Sequence, residues 1–165
     1  MQSQAQTASN AAVPADEVSV KPQIFSLKTP MVASGMIDNF VAETDLMKVS
    51  IKIYAEGGEN FLHTHTTEDH FFVVLDGEAT FLDPDGKTLT LRNQQGIMLP
   101  RGCYYRFTNT GDRPLVMLRS GATTVPWGKD NRKWWKGVVD TRKNSRGNEA
   151  VIPGKFFADG SELKK

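Results

Sequence analysis

The chain holds three histidines, His63, His65 and His70, and all lie within eight consecutive residues. Neutral imidazole is the commonest protein ligand for a metal ion, and short spacing is what a shared ion requires. His63 and His65 are two apart, so on a strand both side chains leave the same face. His70 follows Thr66, Thr67, Glu68 and Asp69, a stretch able to turn the chain back. It then opens the apolar run 71–75, where it can face the same point from a neighbouring strand. A surface hairpin flanked by histidines without metal is the alternative; the apolar run after His70 argues for a buried strand. Glu68 and Asp69 read as solvated loop acids, or as an anionic ligand if His70 points elsewhere. No fourth histidine remains for a separate general base, so proton transfer falls to a tyrosine, a carboxylate or metal-bound water.

Many short strands must position these residues. Val49, Ile51 and Ile53 alternate with polar residues, the period of a half-buried strand. Further strands are expected at 40–44, 60–65, 70–75, 78–82, 87–92, 96–99, 104–109 and 115–119. The breaks between them carry turn chemistry at Gly57-Gly58, Asp76-Gly77, Pro84-Asp85-Gly86, Pro100-Arg101-Gly102 and Gly111-Asp112. Strands about ten residues apart, with no long helical pattern between them, specify an all-β antiparallel sandwich or barrel.

The 165 residues suit one domain with additional tails. Residues 1–20, rich in Gln, Ala and Ser, read as a disordered N-terminal tail. They lack the positive start and apolar centre of an export signal, so the expected compartment is the cytoplasm. The single cysteine excludes an internal disulfide. No run approaches the length of a membrane helix. Up to Trp127 the chain carries 10 basic and 14 acidic residues; from Gly128 onward it carries 10 and 5. A slightly acidic body, 21–125, therefore bears a basic, aromatic C-terminal extension, 126–165. Within it, 130–136 could form one or two helical turns, and the remainder is expected to wrap over the barrel or exchange with a partner subunit. Trp127, Trp134 and Trp135 stand among Lys129, Arg132, Lys133 and Lys136, a weak single-strand nucleic-acid pattern. Packing against the barrel explains them better, so neither nucleic acid nor membrane is an expected partner.

Gly57, five residues, His63-Thr64-His65, four residues, His70, six residues, Gly77 resembles the first motif of the cupin superfamily. Pro100-Arg101-Gly102, two residues, Tyr105, three residues, Asn109 resembles the second. The resemblance implies an antiparallel jelly-roll barrel with a metal at its mouth. It also marks departures. His70 occupies the position of the family's glutamate, Tyr105 that of its last histidine, and Gln94 that of a glycine. The implied ligand set is His63, His65, His70 and Tyr105, holding one divalent ion: Fe2+ first, then Zn2+, Mn2+, Ni2+ or Cu2+. Three neutral imidazoles leave the ion its full charge, which suits a bidentate anionic substrate such as an enolate, catecholate or carboxylate. Tyr105 is expected either to ligate the metal or to serve as the catalytic proton donor or acceptor.

Strand parity with these residues makes Phe61, Phe72, Val74, Phe107 and Cys103 the expected pocket walls. Met98 precedes the second motif, and Arg101 sits at the expected mouth, where it could hold a carboxylate. Three functions follow from the resemblance. One is a mononuclear Fe(II) three-histidine dioxygenase acting on a small organic substrate. The second is a Zn-, Mn- or Ni-dependent lyase, cyclase or isomerase. The third is a non-catalytic cupin that binds metal or a small molecule. A homodimer paired through edge strands is the expected assembly.

Overall fold

The computed structural model describes residues 21–57, 61–127, 132–137 and 150–158. The expected tail 1–20 and most of the extension lie outside the described residues. The described chain is built from twelve strands and a single 3-10 turn. The strands are β1 (Thr29–Ser34), β2 (Met36–Glu43), β3 (Met47–Tyr54), β4 (His63–His65), β5 (Glu68–Asp76), β6 (Glu78–Leu82), β7 (Thr88–Arg92), β8 (Gly96–Leu99), β9 (Arg106–Asn109), β10 (Leu115–Thr123), β11 (Arg132–Trp134) and β12 (Ala150–Phe157). The 3-10 turn, Trp135–Gly137, follows β11.

All strand pairs are antiparallel. A five-stranded sheet runs β2-β3-β10-β5-β8, and a three-stranded sheet runs β7-β6-β9. Between them lies the interior cluster of Tyr54, Phe72, Val74, Phe81, Leu91, Leu99, Tyr105, Phe107, Leu115 and Met117. Alternation decides which face each strand gives to this core. In β5, Glu68, His70, Phe72 and Val74 are buried while the residues between them are only partly covered. The opposite face of the large sheet is not left bare. Ile51, Ile53 and Val116 pack there against Val32 of β1 and Phe157 of β12.

The β1–β12 pair is thus a cover sheet that the period-two pattern does not reveal. β12 contains Pro153 and Gly154, which read as loop residues, and it pairs with β1 through two register shifts. Where helical turns were expected around 130–136, β11 instead adds an edge strand to β4, with Trp134 opposite His63 and Arg132 opposite His65.

One residue from each motif acts as a structural fixture, Asn109 of the second and Gly77 of the first. Asn109 donates its side-chain amide to the Tyr54 and Arg113 carbonyls at 3.1 and 3.0 Å, and its Oδ1 accepts the Gly111 N–H at 3.1 Å. It ties the end of β9 to the end of β3. Gly77, between β5 and β6, has φ +84°, and a Cβ there would meet the Pro114 carbonyl at 2.9 Å. Both conformation and space exclude a side chain.

Candidate metal centre

β4 carries His63 and His65, and both are buried, as is Thr64 between them. The rings of His63 and His65 lie 5.2 Å apart between centroids. β5 brings His70 alongside, 4.9 Å from the His65 ring. Tyr105 reaches the group from an isolated bridge opposite His63, with ring distances of 4.7 Å to His63 and 5.3 Å to His70. The four side chains inferred from the motifs therefore form a closed circuit: 63 to 65, 65 to 70, 70 to 105, and 105 back to 63.

β5 begins at Glu68, two residues earlier than the sequence suggests. Glu68 therefore shares the inward face with His70 and is 3% exposed, where a solvated loop acid was expected. Its Oε2 lies 3.3 Å from His65 Nδ1, and its Oε1 lies 4.0 Å from His70 Nδ1. Ligand atoms of His65, Glu68 and His70 all fall within 4.8 Å of one another. The centre therefore contains a carboxylate, which corrects the expectation of purely neutral imidazoles. The signal was present in the sequence: stepping back by twos from Phe72 along the apolar run passes through His70 and reaches Glu68.

Each histidine is held by its second nitrogen or its neighbours. His63 Nδ1 donates to the Phe61 carbonyl at 2.6 Å, which leaves Nε2 for another partner. His70 Nε2 lies 3.0 Å from the Tyr105 hydroxyl. His70 Nδ1 is buried and has no hydrogen-bond partner. A buried nitrogen without a partner, facing a carboxylate, fits a site for a cation. Burial also keeps the imidazoles neutral, the form that binds metal. It lowers His63 to about 4 and His70 to about 2, and the Arg119 guanidinium adds to both effects. The same burial raises Tyr105 well above the ordinary phenol range, so it stands as a neutral hydroxyl.

The expected pocket residues divide into two groups. Phe72, Val74 and Phe107 are fully buried beneath the imidazoles, and the Phe72 ring lies 5.5 Å from His70. Phe61 is half-buried and stacks edge-on to Trp134, whose ring also lies 5.5 Å from His63. Met98, Arg101 and Cys103 are exposed and do not join the buried interior. Met98 is 63% exposed, because Ile97 and Leu99 take the inward positions of β8. Cys103 follows the Pro100–Gly102 turn and is exposed, so strand parity does not apply to it. Arg101 is on the rim, where its backbone N–H and then its guanidinium, each donating to Asp69 at 2.7 Å, hold that carboxyl below its usual range. Trp134 and Arg119 are the site neighbours that sequence reasoning passed over.

Residues 50–120 match the family model described as a cupin domain. Over 56 residues the chain is 38% identical to a polyketide synthase, CurC, of Streptomyces cyaneus, covering 34% of this chain. It spans 36% of that protein's length. Among solved structures, an uncharacterised double-stranded β-helix protein of Klebsiella pneumoniae superposes with a TM-score of 0.56 at 21% identity, covering 69% of this chain and 97% of that one. The Cnp3 cupin domain of Schizosaccharomyces pombe gives 0.50 at 17% identity, covering 53% and 64%. These likenesses concern the fold. With both motifs, the barrel and the family match in agreement, residues 50–120 of the chain form a cupin domain.

Proposed function

We propose that this protein is an Fe(II)-dependent oxygenase that acts on a small organic substrate able to form an anion. One observation carries the proposal: His65, Glu68 and His70 gather two imidazoles and one carboxylate, all buried, around one point. Two histidines and a carboxylate are the donor set with which non-haem iron oxygenases hold Fe2+ while leaving positions open. His63, its Nδ1 taken by the Phe61 carbonyl, adjoins the group and completes the three-histidine complement.

A bound Fe2+ would supply the one-electron chemistry that lets dioxygen react with a closed-shell organic molecule. The chain's own groups have separable tasks. Glu68 offsets part of the ion's charge. Tyr105, neutral and 3.0 Å from His70 Nε2, holds a proton inside the barrel and fixes the orientation of the His70 ring. Phe72, Val74 and Phe107 close the floor against water. The half-buried rings of Phe61 and Trp134 flank the His63 side.

A second reading is favoured by the likeness to a polyketide synthase and by the neutral Tyr105 phenol. In it, the metal acts as a Lewis acid on an enolisable polyketide-like substrate, and Tyr105 handles the proton. Oxygen separates the two. The protein is reconstituted anaerobically with Fe2+ and offered catechols, β-diketones and aromatic acids in an oxygen electrode. Oxygen uptake dependent on substrate supports the first. Turnover under argon with Zn2+ or Mn2+ refutes it and supports the second.

A further inference from the structure

The carboxylate at the centre comes from a position that the cupin pattern does not use, and something must hold it there. Glu68 opens β5, where a free glutamate would turn outward to water. It is instead 3% exposed. The register of β5 against β10 shows what surrounds it. Gly121 stands opposite His70, Arg119 opposite Phe72, and Thr123 opposite Glu68. These three residues of β10 share the inward face, and Gly121 is the middle one. A Cβ at Gly121 would run into Glu68 Oε1 and would stand 3.0 Å from its Cδ and 3.2 Å from an Arg119 guanidinium nitrogen. The carboxylate fills the space that a side chain at 121 would occupy. Gly121 has no positive φ to account for it; space alone does.

Arg119 completes the arrangement. Its side chain is 12% exposed, and its guanidinium pairs with Glu68 Oε1. The other oxygen, Oε2, is left to face His65 Nδ1 at 3.3 Å. A buried carboxylate needs a compensating cation and fixed donors, and here one oxygen goes to each.

We propose that Gly121 and Arg119 form a seat on β10 that fixes Glu68 against His65, making both of them positioning residues of the centre. The proposal rests on the metal-centre reading above, and the experiment keeps the two separable. Metal-free full-length protein is labelled with 15N, and its three histidines are followed by long-range 1H–15N correlation. In the wild type, His65 should carry its proton on Nδ1, facing Glu68. His63, also protonated on Nδ1 through the Phe61 carbonyl, serves as internal control. In Gly121→Ala and Arg119→Met, His65 should lose that fixed tautomer while His63 keeps its own. Co2+ is then titrated by its visible absorption. Affinity should fall about 10- to 100-fold in either variant, with altered band intensities, the usual effect of losing an outer partner or ligand.

A double-mutant cycle removes a general packing effect from consideration. In a Glu68→Ala background, Gly121→Ala should change affinity no further, since no carboxylate remains to displace. Additive losses, or an unchanged His65 tautomer in both variants, would overturn the seat. A fixed His65 tautomer lost in the variants, with no Co2+ uptake by the wild type, would support the seat and refute the metal centre. Arg119→Met serves alone if Gly121→Ala does not fold.

Discussion

Replacing Tyr105 by Phe removes one oxygen from the interior and leaves the ring. The ring is 4% exposed and packs against His63, His70, Phe72 and Phe81, so shape is nearly conserved. What changes is His70. Its Nε2 loses a partner at 3.0 Å, and its Nδ1 already has none. A buried neutral imidazole with both nitrogens unsatisfied costs about 1–3 kcal/mol. In a chain of this size each kcal/mol moves the melting temperature by about 2–4 °C. The metal-free variant should therefore melt between about 2 and 12 °C below the wild type. Metal should offset part of that loss by occupying His70. The assay is differential scanning fluorimetry of both proteins, with and without one equivalent of Co2+. An unchanged melting temperature for the metal-free variant would refute the hydrogen bond as a stabilising contact. Loss of Co2+ binding in the variant would make the phenol a ligand rather than an outer partner.

The metal-free barrel should lose stability on acidification. The folded state keeps His63 and His70 neutral down to about 4 and about 2, whereas the unfolded chain protonates both below about 6.5. Stability is therefore full above that pH and falls as pH drops, by about 1.4 kcal/mol per unit for each histidine. Urea melts at pH 7.5, 6 and 5 read this directly, and a flat profile would contradict the burial of neutral imidazoles. His65→Ala should strip most of the metal yet keep the far-UV spectrum of the barrel; full metal content in the variant would exclude His65 from the centre. Phe107→Ala empties a fully buried position between the sheets and should cost about 3–5 kcal/mol in chemical unfolding. A loss under 1 kcal/mol would mean that the interior collapses around the gap.

Much of the barrel was legible because its strands alternate and its turns carry Gly, Pro and Asp. Val49, Ile51 and Ile53 declare β3, and the apolar run after His70 declares β5. The clustering of the histidines also survives translation into space, because two-residue spacing on a strand is a geometric statement. Three features were not legible. The β1–β12 cover sheet pairs segments more than a hundred residues apart, and its second strand contains a proline and a glycine. β11 became a strand because β4 offered it an open edge, which no local propensity encodes. Glu68 depends on a long-range match: its inward placement needs the missing side chain at Gly121 and the charge of Arg119, both fifty or so residues away. Cys103 was misplaced because parity was counted into a turn, and Met98 because nearness to the second motif does not say that Ile97 and Leu99 take the inward positions. Arg101 sits at the rim as expected, but its guanidinium is engaged by Asp69.

The most direct measurement is metal content by elemental mass spectrometry, on full-length protein purified without a histidine tag or chelator. A cupin centre of His63, His65, His70 and Glu68 predicts about one equivalent of divalent transition metal per chain, iron foremost, and its removal by Glu68→Ala together with His65→Ala. No metal in the wild type, even after anaerobic reconstitution with Fe2+, would contradict the centre and leave the three histidines as packing residues of the barrel.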